Sequence, residues 1–293
     1  MRLRKAEERY AAGLLAPSMI VVFGVIIIPI ITTFIYSIVN IDPLSSHQGE
    51  FAGLSFYIRI LRSAQFWDDL RRTLYFTIVS TAIETVFGLL IAILLNQKFP
   101  GVSLLRSIII IPWAIPTVVN GSLWKLMLNG EYGVINAILV RLHIISGYQS
   151  WLGNPKTAML CIIIADAWKM TPLAVIFFLA ALQGIDHTIY EAARVDGAGA
   201  LRSFTSITLP ALRPTMMVII VMRTVEKFKA FDIFYLLARG GPANSTKTLM
   251  YDTYLQAFSN LNYSEAATYA YLIALAVALM TLIYVKLMKR EEG

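Results

Sequence analysis

The sequence is poor in the residues that soluble enzymes use for chemistry. Only 15% of its 293 residues are charged, it has three histidines, and its single cysteine, Cys161, lies within an apolar run. A soluble domain of this length carries about a quarter charged residues. One cysteine leaves no partner for an internal disulfide, and the histidines, at 47, 143 and 187, lack metal-ligand spacing. We therefore expect neither a disulfide nor a metal site.

The sequence contains long hydrophobic runs with few or no charged residues. Hydrophobic residues make up 57% of the chain, and the mean hydropathy is +0.66. The run from Ala11 to Ile41 contains no charged residue and is far longer than the apolar region of a secretory signal, about 7–15 residues. It is therefore expected to be an uncleaved first span. The net charge of +7 is spread over the loops, which suits lipid headgroups rather than nucleic acid.

The apolar runs predict an all-α integral membrane protein that forms a single transmembrane domain over 1–293. A membrane crossing needs about 20 apolar residues. The predicted spans cover about 12–39, 73–95, 104–127, 158–182, 214–237 and 264–287.

The orientation is predicted from basic residues near the span ends. They cluster at both ends of the chain, at Arg2, Arg4, Lys5, Arg9, Lys286, Lys289 and Arg290. Both termini are therefore expected in the cytoplasm of a multi-pass protein of the inner or plasma membrane. The segments 96–103 and 183–213 are then cytoplasmic, and 40–72, 128–157 and 238–263 face outward.

The stretch TIYEAARVDGAGALRSFTSITLP at 188–210 is polar and rich in small residues, although it joins two apolar spans. Thr188 and Glu191 have the spacing of a capping box, which predicts that a helix begins at about Thr188. Gly197 and Gly199 allow a tight break after that helix.

A second short helix is expected after this break. Ala200, Phe204 and Ile207 fall on one side of it, Pro210 is expected to end it, and Pro214 to begin the fifth span. The segment is then a half-apolar helix-turn-helix on the cytoplasmic side. It either docks into a groove of a partner protein or packs as a re-entrant turn on its own bundle.

The same stretch resembles the EAA loop found in the permeases of bacterial ATP-binding-cassette (ABC) importers. The matching positions are Glu191, Ala192, Ala193, Asp196, Gly197, Ala198, Phe204, Ile207, Leu209, Pro210 and Pro214. The resemblance implies the type I ABC importer (MetI-like) permease fold, with about six transmembrane helices. It also implies that the loop, over 186–214, forms a coupling helix that docks on a separate ATPase subunit. Asp186 departs from the family, since many relatives have proline there.

The resemblance extends over nearly the whole chain. Three segments are similar to those of the sugar-transporting branch: RSIIIIPWAIPTVVNGSLWKLMLNGEYGVINAIL, ADAWKMTPLAVIFFLAALQGID and FDIFYLLARGGPANSTKTLMYDTYLQAF. The last of them is typical of the maltose-F-like member of that branch. The family works as a heterodimer with a second, homologous permease, two ATPase subunits and a periplasmic or lipid-anchored sugar-binding protein. This implies no catalytic residue and no cofactor in the chain itself, because the partner ATPase subunits use ATP and Mg.

The chain contains no nucleotide-binding loop of its own. The string GGPANSTKT lacks the glycine before Lys247 that a phosphate-binding loop requires. The implied function is import of a mono-, di- or oligosaccharide. Glycerophosphodiesters or polyols are the alternative substrates. The alternative classes are an ion-gradient-driven secondary transporter, which would show inverted repeats, and an ATPase-docked scaffold without transport.

Charges in the fifth predicted span indicate where a solute passes, because charge within a bilayer normally faces water or a bundle interior. They are Arg223, Glu226, Lys227, Lys229 and Asp232. Arg223, Glu226 and Lys227 share one helical face. This face either binds sugar hydroxyls in the translocation path or forms a salt-bridge cluster that neutralises itself.

Three further features of the predicted spans indicate ion pairing within the bundle or a place in the substrate path. Glu84 is expected to pair with a basic side chain elsewhere in the bundle, and Asp166 with Lys169 at spacing i, i+3. Trp113, between Pro112 and Pro116, predicts a kinked third span that lines the substrate path, although such kinks also serve packing.

Overall fold

The computed structural model describes residues 13–291, with side chains as far as 286, and within that range the protein is helical. Arg2, Arg4, Lys5 and Arg9, and the side chains of Lys289 and Arg290, lie outside the described part. The helices in chain order are α1 (Gly13–Ile38), α2 (Ser55–Arg62), α3 (Ala64–Leu95), α4 (Val102–Ile108), α5 (Ile111–Ala114), α6 (Thr117–Met127), α7 (Val134–Arg141), α8 (Ala158–Gln183), α9 (His187–Val195), α10 (Ala200–Phe228), α11 (Asp232–Leu237), α12 (Leu249–Tyr254) and α13 (Tyr263–Glu291). A π-helical turn at Leu255–Ser259 directly follows α12.

Five of these helices are long and apolar enough to cross a membrane: α1, α3, α8, α10 and α13. The third predicted span, 104–127, is not one straight helix. It consists of Val102–Ala114 followed by Thr117–Met127, and the two parts are bent by 94°. Counting this bent pair as one broken span brings the number to six.

Of the two prolines near the bend, Pro116 accounts for it. Pro112 stands in the first turn of α5, where its missing amide costs nothing. Ile115 is extended, with ψ 130°, and Pro116 follows it as the N-cap of α6. A residue that precedes proline is sterically pushed out of the helical region. The predicted kink is therefore a break in the helix at Ile115.

Helix α10 is longer than the sequence predicts and differs in register from the predicted fifth span. It begins at Ala200 and continues past Pro210 and Pro214, so the prediction that Pro210 ends a helix is wrong. A π-helical turn at Phe204–Thr208 precedes the prolines. Such local adjustments let transmembrane helices absorb proline without leaving backbone groups unsatisfied. The helix ends at Phe228, before the predicted end at 237.

The described chain forms two compact units. The first comprises 13–66 and 252–272. In it, Ser264 donates its amide to Asp42 Oδ1 at 2.9 Å and its hydroxyl to the Val39 carbonyl at 3.0 Å, so the start of α13 is bound to the end of α1. Tyr271 reinforces this with a hydrogen bond to the Ile30 carbonyl at 2.7 Å.

The second unit comprises 67–251 and 273–291 and contains every residue of the candidate site. Its core joins α3, α8 and α10 through Ala92, Leu95, Ala174, Val175, Phe178, Leu182, Leu212 and Ile219. Gly88 lets α3 approach α8 closely, since a Cβ at this position would lie 2.6 Å from Cβ of Ala174. These three helices carry the buried ion pairs of the site.

Candidate functional site

The predicted coupling segment begins with a cap that the sequence analysis assigned to the wrong residue. Helix α9 starts at His187, and its N-cap is Asp186, whose Oδ1 accepts the Thr188 amide at 2.9 Å. The capping box expected from Thr188 and Glu191 is therefore wrong, because Thr188 already lies inside the helix. Aspartate is among the best N-cap residues, so Asp186 gives α9 a well-formed start.

The first half of the EAA pattern has a direct structural explanation at the other end of α9. Ala198 donates its amide to the Ala193 carbonyl at 2.8 Å, and Gly197 donates to Arg194 at 3.1 Å. These bonds form a Schellman motif, which requires its C′ residue in the left-handed conformation. Gly197 occupies that position with φ +78°. Asp196, Gly197 and Ala198 thus end α9 and turn the chain into α10.

The segment between α8 and α10 is mostly exposed in this chain. Glu191, Ala192, Asp196 and Gly197 are exposed, whereas Ala193, Ala198 and Phe204 are half-buried. Apolar side chains on it are unusually open, with Val195 88% and Leu201 78% exposed. An exposed apolar surface of this kind is typical of a protein-protein contact. Tyr190 Oη lies 2.8 Å from Thr208 Oγ1 and so connects α9 to the π-helical turn of α10.

Near the far end of α10, a buried ion-pair network joins three helices. Arg223 Nε donates to Glu84 Oε2 of α3 at 2.7 Å, and both side chains are buried. Arg223 Nη1 also donates to Glu226 one turn along the same helix. The expectation that Glu84 pairs with a basic residue elsewhere in the bundle is confirmed.

Lys227 completes the network on its other side. Its ammonium lies 2.6 Å from Glu84 Oε1 and also contacts the Asp166 carboxylate of α8. Ser80 donates to the same Asp166 carboxylate at 2.9 Å. The expected Asp166–Lys169 pair is wrong, since Lys169 forms no ion pair with any described residue. Asp166 faces α10 instead, where Lys227 offers a partner within the same buried layer.

A cavity of about 290 Å³ opens beside this network. Its charged lining residues are Asp166, Arg223, Glu226, Lys227, Lys229 and Asp232, and its other members include Thr117 and Met170. Of the three predicted residues on the shared face of α10, only Glu226 is substantially open, at 49%, whereas Arg223 and Lys227 are buried. The carboxylate of Glu226 is thus the group on that face that water or a solute reaches.

The remaining predicted residues are distributed around this cavity. Lys229 follows the last residue of α10 and Asp232 begins α11; both are exposed and line the cavity. Trp113 lies in α5, is 44% exposed and is not among the lining residues. Sequence reasoning missed Thr117, Met170 and Ser80. The position of Thr117 directly after Pro116, in the span predicted to be kinked, is a signal that could have identified it. Met170 and Ser80 have no comparable signal in the sequence.

The chain matches known proteins over most of its length. Residues 84–290 match the family model described as "Binding-protein-dependent transport system inner membrane component". The trehalose/maltose transport system permease protein MalF of Thermococcus litoralis is 37% identical over 288 residues, which is 97% of this chain and 95% of that protein. The sulfoquinovosyl glycerol transport system permease protein SmoG of Agrobacterium fabrum is 31% identical and covers 98% of this chain and 92% of its own length.

The fold is also similar to solved structures. A chain from the crystal structure of a bacterial ABC transporter that imports the acidic polysaccharide alginate has a TM-score of 0.85 at 22% identity, with 99% of each chain covered. At this identity the likeness shows the fold alone. The helical architecture, the EAA segment and the family match over residues 84–290 agree, and the chain belongs to the binding-protein-dependent transport system inner membrane components, the permeases of ABC importers.

Proposed function

We propose that this chain is the solute-translocating permease of a sugar importer and pairs with a second, different permease. Its relatives are named for trehalose/maltose and for sulfoquinovosyl glycerol transport, which supports a carbohydrate solute. Two ATPase subunits supply ATP hydrolysis and use Mg, and an external binding protein delivers the sugar. The chain itself catalyses nothing and holds no cofactor.

One observation carries this proposal: a single helix connects the exposed coupling segment to the charged cavity. Helix α10 runs without interruption from Ala200 to Phe228, a distance of about 40 Å at 1.5 Å per residue. Its first residues follow the turn at Gly197, and its last turn carries Glu226 and Lys227. A displacement of α9 by an ATPase subunit would therefore move the cavity wall directly.

The charge balance of the cavity favours a neutral solute. Its lining contains as many carboxylates as cations. The carboxylates are Asp166, Glu226 and Asp232, and the cations are Arg223, Lys227 and Lys229. Arg223 and Lys227 share the buried carboxylate of Glu84, and they also pair with Glu226 and Asp166 respectively. They are therefore poorly placed to hold an anion. A sugar with many hydroxyls suits exposed Glu226, Lys229 and Asp232, which accept and donate hydrogen bonds. A glycerophosphodiester is the less well supported substrate.

Reconstitution of the complete importer in proteoliposomes tests the proposal. We expect uptake of a neutral sugar that requires both ATP and the binding protein, and that falls for Glu226→Gln while ATPase assembly is retained. Glu131→Gln, an exposed carboxylate between α6 and α7, is the matched control and should transport normally. Uptake driven by an ion gradient without ATP would overturn the assignment as an ATP-driven importer. Preferred uptake of a phosphodiester would overturn the assignment of a sugar as the substrate.

The same proposal places both termini and α9 in the cytoplasm. In a Cys161→Ala background, a cysteine introduced at exposed Ser206 should react with an impermeant thiol reagent only from the cytoplasmic side. One introduced at exposed Ser146, in the link between α7 and α8, should react only from outside. The opposite pattern would reverse the orientation and remove α9 from the reach of an ATPase.

A further inference from the structure

A second polar cavity, separate from the charged cavity, lies beside the start of the coupling helix. It has a volume of about 690 Å³ and is formed by the end of α3, the link to α4, α4 itself, the end of α8 and the first residue of α9. Its polar lining consists of Asn96, Gln97, Lys98, Arg106, Gln183 and His187. No aspartate or glutamate is among the described residues that line it.

The two cations of this cavity, Lys98 and Arg106, form no ion pair with the described residues. Lys98 and His187 are exposed, and His187 likewise forms no ion pair with a described residue. Arg106 is half-buried and held in place, since its Nε and Nη2 donate to the Leu95 carbonyl at 3.2 and 2.6 Å. That carbonyl ends α3 and carries no net charge, so the guanidinium keeps its full positive charge and its free Nη1. Asp186, the carboxylate next to His187 in sequence, caps α9 through Thr188 and interacts electrostatically with His187.

The donors match one ligand chemistry. A fixed guanidinium and a lysine ammonium suit phosphate oxygens, and three side-chain amides suit the hydroxyl or ester oxygens beside such a phosphate. The cavity lies where α3 and α8 end, at Leu95 and Gln183, which is where a membrane span meets the headgroup layer. Basic pockets between transmembrane helices at such a level bind anionic headgroups.

We propose that this cavity is a binding site for a phosphodiester anion, supplied by the headgroup of an anionic phospholipid in the leaflet on the side of α9. The bound phosphate contacts Lys98 and Arg106 next to α3 and His187 at the first turn of α9. It thereby holds the start of the coupling helix against the end of α3. This effect on coupling rests on the proposed function of α9, whereas the binding itself does not.

Binding is tested with the assembled importer in nanodiscs made of phosphatidylcholine alone, of phosphatidylcholine with phosphatidylglycerol, or of phosphatidylcholine with added inorganic phosphate. The number of retained phosphatidylglycerol molecules is measured by native mass spectrometry. Each neutralised cation near a membrane surface weakens such binding about fivefold. We therefore expect Lys98→Gln to lower retention about fivefold. His187→Gln, which removes an imidazole hydrogen-bonding group, should lower it less, and the two together should lower it further.

Lys156→Gln is the matched control, because Lys156 is an exposed lysine just before the other end of α8. It removes the same charge and should leave retention unchanged. Equal retention in Lys98→Gln, His187→Gln and Lys156→Gln would overturn the site. Stimulation of the unsubstituted complex by inorganic phosphate in phosphatidylcholine alone, lost in Lys98→Gln, would support the same phosphate chemistry with a soluble source.

A second readout separates this proposal from the proposed function. Binding-protein-stimulated ATP hydrolysis and uptake are measured in the same nanodisc lipids after reconstitution into vesicles. We expect both to be higher with phosphatidylglycerol and to lose that difference in Lys98→Gln. Site-dependent lipid retention in a complex that never transports a sugar would overturn the proposed function and support the lipid site. Normal sugar uptake together with lipid retention that does not change in Lys98→Gln or His187→Gln would overturn the lipid site and support the proposed function.

Discussion

The hydroxyl of Tyr190 in α9 lies 2.8 Å from that of Thr208 in α10, and Thr208 is buried. The bond joins the exposed helix expected to meet the ATPase with the helix that lines the charged cavity. It sits within the π-helical turn Phe204–Thr208, where the backbone of α10 is irregular. A π turn of this kind is often found at functional positions, and here a side chain from α9 supports it.

Removing this bond should weaken the mechanical link between α9 and α10. A typical net hydrogen bond contributes about 1 kcal/mol. We expect Tyr190→Phe and Thr208→Val each to lower the amount of sugar imported per ATP hydrolysed, and the double variant to lower it no further, because both changes delete the same contact. The measurement is uptake and ATP hydrolysis in the same proteoliposomes. Thr205→Val is the control, since Thr205 bonds only carbonyls of its own helix; additive losses in the double variant would count against the link.

The turn at Gly197 should tolerate substitution according to backbone conformation and not according to side-chain size. Gly197 has φ +78°, and a Cβ there would meet no atom within 4 Å. The cost for an L-residue is therefore backbone strain of about 1–2 kcal/mol. Asparagine adopts this region more readily than a β-branched residue. We expect Gly197→Val to lose ATPase subunits in pull-down experiments and Gly197→Asn to retain most of them.

Gly199 provides the matched control for this turn. Its φ is −70°, and a Cβ would likewise meet open space, so Gly199→Ala should behave as the unsubstituted protein. If Gly197→Val assembled and transported as well as Gly199→Ala, the left-handed turn would not be needed for docking.

The cap at Asp186 should persist throughout the physiological pH range. The pKa of this carboxyl lies below its ordinary value, first because the carboxylate accepts the Thr188 amide and next because it bonds the Thr188 side chain. A lowered pKa means that the cap's contribution is present above the unfolded value, about 3.9, and is lost only as the pH falls through the lower folded value. We expect Asp186→Ala to increase hydrogen exchange in the first turn of α9 at neutral pH. Asp186→Asn, which keeps a capping oxygen, should do so much less; equal exchange in all three proteins would contradict the cap.

The sequence predicts the local features of this protein well where one chemical rule decides them. The apolar runs locate α3, α8 and α13 because lipid demands a continuous hydrophobic helix. The glycine at 197 predicts the turn after α9 because few other residues accept a positive φ. The start of α9 is predicted to within one residue. Its cap is assigned to the wrong residue because Asp186 and Thr188 are both good capping residues, and only the observed backbone selects between them.

The remaining differences arise where distant parts of the chain decide the outcome. Pro210 and Pro214 would break a helix in water, but α10 absorbs them with a π-helical turn. Glu84 and Arg223 are separated by 139 residues, so the sequence indicates that each needs a partner without indicating which one. The choice of Lys227 over Lys169 as the partner of Asp166 likewise depends on how α8 faces α10.

Substitutions in the buried network distinguish residues that stabilise the fold from residues that act in transport. Glu84 is wholly buried and neutralises Arg223 at 2.7 Å and Lys227 at 2.6 Å. Removing one partner of a buried ion pair typically costs about 3–5 kcal/mol, because the other charge is left uncompensated. We expect Glu84→Ala to lower membrane abundance and the thermal unfolding temperature of the purified permease. Glu226 also contacts Arg223, but it is 49% exposed, so Glu226→Ala should leave both quantities near normal while uptake falls.

Compensating changes test whether the network acts through its charge balance. Lys227→Met removes one of the two cations that Glu84 neutralises, so Glu84→Gln combined with Lys227→Met should recover part of the abundance that Glu84→Gln loses alone. Asp166 would then lack its lysine but would keep the Ser80 hydroxyl, which explains why we expect recovery to be partial. Lys125→Met is the control, since that exposed lysine in the last turn of α6 forms no ion pair with the described residues, and it should not rescue Glu84→Gln. Wild-type abundance and thermal stability of Glu84→Ala, or equal rescue by the two methionine variants, would show that the buried pairs do not hold α3, α8 and α10 together.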